Sequence, residues 1–338
     1  NGPSDGEWDW GLNCEGYNTD GQWYYNSWGG NRQRPDCYGN HDIYFDGNGI
    51  NTMDLNSVND FGVRRIFFTV NATTARTLNT SASRTLWLNS NNGNPKIENN
   101  STATHTFNVP VSMTANTELN PVAGSLVFNS TITNGGYWTD VWGSSGTSLT
   151  IAGGLSGTGG LTVKNNTTVN MTSACAYTGD TYVDNGVLVI SGDNSSTLIT
   201  VASGATLRIN GNDVDIQSLT INSGGAVEVL AGKSLTVNGT LTNNGTLTLK
   251  SNATDGTATI KTLGTVTNGG LNNYSVEQYL TGGRNWYVSS PVSSAANTVI
   301  TGTSGNALYY RSEPLNSWPS ATSFAVGNGY IASIGASN

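Results

Sequence analysis

Between residues 146 and 249 the chain repeats itself. A small residue or Gly is followed, time after time, by a few alternating apolar positions: GTSLTI at 146–151, GGLTV at 159–163, GVLVI at 186–190, GATLRI at 204–209, then SLTI, AVEV, SLTV, GTLTN and GTLTL. Equivalent apolar residues Leu219, Val227, Leu235, Leu241 and Leu247 follow at intervals of eight, eight, six and six. Three short strands and their turns therefore use about twenty residues, which is one coil of a β-helix. A hairpin-based sandwich would need strands spaced by roughly 8 to 12 residues and turn pairs suited to antiparallel reversal. Corners made by single Asn, Ser or Gly residues suit a chain that winds always in one sense.

The fold class expected is all-β, a right-handed parallel β-helix in which each coil buries its inward face against its neighbours. Along SLTINSGGAVEVLAGKSLTV the two-residue alternation points Leu219, Ile221, Val227, Val229, Leu235 and Val237 inward and Thr220, Glu228 and Thr236 outward. Outward Thr residues are expected to stack coil on coil, and Asn243, Asn244 and Asn252 to form amide ladders at corners.

The rest of the chain divides around this body. Residues 1–47 are dense in aromatics interleaved with Gly, Asn and Asp, without helical or strand periodicity, and are expected to form an aromatic-rich cap. The solenoid is expected over 48–275, and a small β-rich module over 276–338. Helix is expected to be nearly absent.

Charged residues are 11% of the chain, against about a quarter in an ordinary soluble domain. Its surface must be built from Thr, Ser, Asn and Gly, an extracellular look. The formal charge of −8 is spread thinly with no basic cluster, so nucleic acid is not an expected partner. No run of about 18 apolar residues occurs, so no membrane-spanning segment is expected. The chain starts at Asn1, as a mature product of export would.

Cys14 and Cys37 share one loop-rich aromatic stretch and could form a disulfide in an oxidising compartment, although spacing alone does not fix the pairing. Cys175 is left over and reads as a small buried hydrophobe. Trp8, Trp10, Trp23 and Trp28, with Trp87 just beyond, could stack on sugar rings or form partner contacts. They would equally plug the exposed end of a solenoid, the reading preferred.

Asp213 with Asp215, and Asp180 with Asp184, are the carboxylate pairs closest to an acid and base arrangement. Neither lies in an adjacent Asp-Asp, Gly-His-Gly or Arg-x-Lys context, so solvated carboxylates are expected and no catalytic residue is assigned. His41 and His105 lack ligands at zinc-site spacing and are expected at the surface or in a cap. No metal site follows. Ca²⁺ at an Asp- or Asn-rich corner is conceivable but no motif calls for it, so no cofactor is expected. Gly153-Gly154 and Gly157-x-Gly159-Gly160 have no following helix and no phosphate-reaching Lys, and read as corners.

Residues 153–192 resemble the autotransporter-associated β-strand repeat through Tyr177, Gly179, Thr181, Gly186 and Leu188. HDIYFDGNGINTMDLNS, with Asp42, Phe45 and Asp46, resembles the entry into β-helices exported by the type IX route. VEQYLTGGRNWYVSSPVSS and the turn at 325–330 resemble the segment after them. These resemblances imply a secreted bacterial protein displayed at the cell surface.

The function expected is a non-catalytic extracellular structural or adhesive surface protein, self-associating head to tail into a homo-oligomer or filament, with surface glycans as further partners. The competing expectation is a polysaccharide-acting β-helix enzyme or a glycan-binding module.

Overall fold

In the computed structural model the chain is an all-β parallel solenoid of about ten turns followed by a small antiparallel sheet. The structure describes residues 7–8, 42–47, 52–55, 61–80, 83–90, 93–269, 273–290, 295–300 and 307–335. Each turn lays down three short strands, which stack with those of the next turn into three faces, here called face 1, face 2 and face 3 in chain order. The turn formed by Ser148–Ile151, Leu155–Gly157 and Leu161–Lys164 is typical. All pairing along the three faces is parallel, so the backbone hydrogen bonds of one coil are completed by the coils on either side.

The register fixes the coil length. On face 3 the outward row runs Asp140, Thr162, Tyr182, Thr200, Thr220 and Thr242, whose numbers rise by 22, 20, 18, 20 and 22. The twenty-residue period read from the repeats is thus the coil length in the middle of the solenoid; toward the ends the coils lengthen, to 31 residues between Arg65 and Lys96 and 27 between Leu247 and Tyr274. Leu219, Val227 and Leu235 fall on faces 3, 1 and 2 in turn. Leu241 then sits directly over Leu219, and Leu247 over Val227.

Alternation decides the interior. Leu219, Ile221, Val227, Val229, Leu235 and Val237 are all buried, while Thr220, Glu228 and Thr236 face outward and are half-buried. Each fully buried aliphatic side chain of this kind contributes about 1.5–3 kcal/mol relative to leaving it in water. Outward Thr residues stack as expected: Thr200, Thr220, Thr242 and Thr267 lie in consecutive coils. In the first coils the interior is aromatic, with Phe45 stacked on Phe68 and Phe107 on Phe128.

Corners need backbone that L residues avoid. Asn165 and Asn166 both turn at φ +58°, and Gly204 occupies the equivalent corner two coils later at φ +80°. Two coils omit a corner. Asn194–Val201 and Val214–Ile221 are long strands that run continuously from face 2 into face 3. The first half of Val214–Ile221 pairs with Ser234–Val237 and the second half with Leu241–Asn243, so the two faces separate again one coil later.

Amide ladders exist, but not where expected. Asn79, Asn108 and Asn129, at the corner after face 1, are joined by side-chain hydrogen bonds of 2.7 and 2.8 Å. Asn243 instead points into the core from within a strand, where its amide donates to the Asn273 carbonyl. Asn252 shapes a small hairpin, Ser251–Asn252 with Gly256–Thr257, by accepting the backbone N–H groups of Thr254 and Asp255.

Beyond the solenoid, Arg284–Val288 and Ala307–Tyr310 flank Tyr330–Ile334 in an antiparallel sheet with its own core of Leu308, Phe324, Tyr330 and Ala332. Among the described residues the only helical element is the 3-10 turn Asn297–Val299.

Candidate functional site: an open end and an aromatic face

The two ends of the solenoid are unlike. At the first, Ile43 and Phe45 on the edge strand Asp42–Phe45 are buried. At the last, Thr259–Thr262, Val266–Asn268 and Tyr274–Val276 each have a partner strand on one side only among the described residues. Val266 is 46% exposed, whereas Leu241, directly below it in register, is 1% exposed. Leu263, just before the Val266–Asn268 strand, and Val276, on face 1 over Leu249, are also exposed. Open strand edges over an uncovered apolar core form a surface suited to adding another protein layer.

Face 3 carries a second concentration of side chains. On Thr139–Trp142 the alternation buries Thr139 and Val141 and sends Asp140 and Trp142 outward; on Thr181–Val183 it sends Tyr182 outward. Trp138, at the corner just before, has its backbone N–H held by Asn116 Oδ1 at 2.9 Å. Its indole crosses the neighbouring coil at Gly160, where any Cβ would overlap the far edge of the ring, and comes within 5.8 Å of the Tyr182 ring, centroid to centroid. Lys164 Nζ lies 4.7 Å over the Trp142 ring and 3.6 Å from the Asp140 carboxylate. Tyr137 adds another exposed ring.

The interior holds polar groups that are structural. His105, expected at the surface or in a cap, is fully buried and stacks on Phe68 at 3.7 Å. Its Nδ1 accepts the Arg76 backbone N–H at 3.2 Å and its Nε2 lies 2.8 Å from Ser101 Oγ, which donates to Asn99 Oδ1. The proton therefore sits on Nε2. Burial, with the Arg76 charge adding to it, holds the imidazole pKa down to about 4. The corner after face 3 spans residues 100–104 here, and the imidazole is accommodated inside because both ring nitrogens are met, Nδ1 by the Arg76 N–H and Nε2 by the Ser101 hydroxyl.

Tyr177 is fully buried and burial pushes its hydroxyl up to about 12. It donates to Thr181 Oγ1 at 2.6 Å, Thr181 donates to Ser196, and Ser196 to the Gly179 carbonyl, while the Asn194 amide donates to Tyr177. Cys175 is a free, buried thiol whose pKa burial raises.

The carboxylate pairs do not assemble. Asp180 and Asp184 lie at opposite ends of Thr181–Val183. Asp213 and Asp215 are exposed, the first accepting the Ser234 hydroxyl and the second contributing its backbone N–H to Asp193. Among the described residues no three His, Cys, Asp or Glu side chains converge as metal ligands, and no helix is long and apolar enough to cross a membrane. Of the aromatic residues singled out near the start, Trp8 ends the edge strand Glu7–Trp8, paired with Leu55 on face 1. Trp10, Trp23, Trp28, Cys14, Cys37 and His41 lie outside the described residues.

No family model, curated protein or solved structure matches the chain.

Proposed function

We propose that this chain is a non-catalytic structural or adhesive protein displayed outside a bacterial cell, whose copies stack head to tail. The observation that carries this reading is the open last coil, with Val266 and Val276 exposed on edges that have no further partner strand among the described residues, while the first coil's Ile43 and Phe45 are covered. Because the two ends differ, a contact between them is heterologous and does not close, and repetition of such a contact makes a filament.

A surface of Thr, Ser and Asn with few charges favours an extracellular setting. The resemblance of residues 153–192 to the autotransporter-associated repeat, and of both ends of the solenoid to type IX cargo, favours surface display. Against catalysis stands the pairing of the carboxylates that do come together: Glu98 and Glu118, both on face 3, are held by Lys96 Nζ at 3.3 and 2.9 Å.

Electron microscopy of the native chain at neutral pH tests the proposal. Fibres with a repeat near one subunit length are expected, and Val266→Lys, which places a charge on the open end without entering the core, is expected to abolish them. Dispersed single rods at high concentration, with no fibres, would count against stacking.

A further inference from the structure

We infer that the outer surface of face 3 around Trp138, Trp142 and Tyr182 binds a neutral polysaccharide by stacking sugar rings on its aromatic side chains. This goes beyond the stacking reading above, since a chain that never polymerised would still carry the site.

The rings are placed before any ligand arrives. Asn116 fixes the backbone of Trp138, the bare backbone of Gly160 gives its indole a shelf, and the ring then extends across the coil between Thr139–Trp142 and Thr181–Val183. Thr162, in the same outward row between Asp140 and Tyr182, is only 6% exposed, so neighbouring side chains cover it. A prepositioned aromatic surface loses little side-chain freedom on binding. Three adjacent strands span about 10 Å at the usual interstrand spacing, on the order of two pyranose rings.

The chemistry selects the ligand class. This surface lies mid-sheet, where the backbone donors and acceptors of Leu161–Lys164 are used by the coils on either side. A protein partner therefore has no edge to extend, and recognition falls to side chains. Those are ring faces, which suit the C–H faces of sugars, beside the Asp140 carboxylate, the Lys164 ammonium and the Asn116 amide, which suit hydroxyls. Asp140 and Lys164 neutralise each other at 3.6 Å, and the chain as a whole carries −8. An anionic polysaccharide would meet repulsion where the nearby Lys164 is already paired with Asp140, whereas a neutral one meets none.

The test is affinity electrophoresis of the full chain through gels containing mixed-linkage β-glucan, xyloglucan or galactomannan, with polygalacturonate as the anionic comparison. Retardation is expected in at least one neutral gel and not in polygalacturonate. Trp138→Ala and Trp142→Ala should each weaken that retardation at least tenfold. Trp138→Phe, which keeps a ring on the Gly160 shelf, should weaken it less, and Thr220→Ala, on the same face but away from the rings, should not change it. Circular dichroism confirms that each variant is folded. Passage through all three neutral gels without retardation would overturn the proposal and turn attention to a protein partner. So would retardation only by polygalacturonate, or retardation indifferent to both alanine substitutions.

Discussion

Acid should weaken this solenoid between about pH 6.5 and pH 4, and His105 is the reason. In the folded chain the imidazole is neutral, with Nδ1 accepting the Arg76 N–H; a proton there would set donor against donor at a fully buried position. Its folded pKa is about 4, below the ordinary value of 6.5. The unfolded chain therefore binds the proton first as pH falls, and stability is lost between these two values: complete above about pH 6.5, declining through the window, and level again below about pH 4. Converting the shift by linkage, the loss is about 2 kcal/mol between pH 7 and pH 5 and about 3 kcal/mol by pH 4. The assay is urea unfolding followed by tryptophan fluorescence at pH 7 and pH 5, for the native chain and for His105→Gln. The variant is expected to be weaker at pH 7, because glutamine fits the corner less well, but to lack this part of the acid loss, whatever His41 contributes to both. An equal loss from pH 7 to pH 5 in the two proteins would refute the assignment of a buried neutral imidazole.

Two further outcomes follow from the interior. Leu219→Ala, at a fully buried position stacked under Leu241, should cost about 2–5 kcal/mol in the same unfolding assay, while Thr220→Ala beside it should cost under about 1 kcal/mol. Tyr177→Phe leaves the Asn194 amide and the Thr181 hydroxyl short of a partner and should cost about 1–3 kcal/mol.

How much of this was legible in the sequence depends on whether a residue's role is set by period or by place. Leu219, Val227 and Leu235 announce three strands per coil because apolar side chains must recur wherever the same face returns to the core. Outward rows follow from the same alternation, and it already places Trp142 and Tyr182 on the outside. What it does not give is that Trp138 lies across Gly160 to meet Tyr182, since this depends on which coils are adjacent and on a corner that leaves room for a ring. His105 and Asn243 were misplaced for a related reason. Polar residues are read as surface by default, whereas inside the rod Arg76 and Ser101 meet both ring nitrogens of His105 and the Asn273 carbonyl takes the Asn243 amide N–H. The asymmetry of the two ends is a property of the assembled rod and has no local signature.

The small hairpin formed by Ser251–Asn252 and Gly256–Thr257 has a consequence for how such a rod can change. It leaves the corner after face 1, turns outside, and returns the chain to Thr259–Thr262, where Ile260 sits in register with Leu235 as though nothing had intervened. Its contacts with the neighbouring coils are peripheral: Ser251 Oγ accepts the Tyr279 N–H, and Asp255 packs on the exposed backbone of Gly232. Corners are therefore places where the chain accepts new sequence without renegotiating its core, and a recognition loop or a reporter inserted between Asn252 and Gly256 should be carried at a fixed height on the rod with the stack of coils undisturbed.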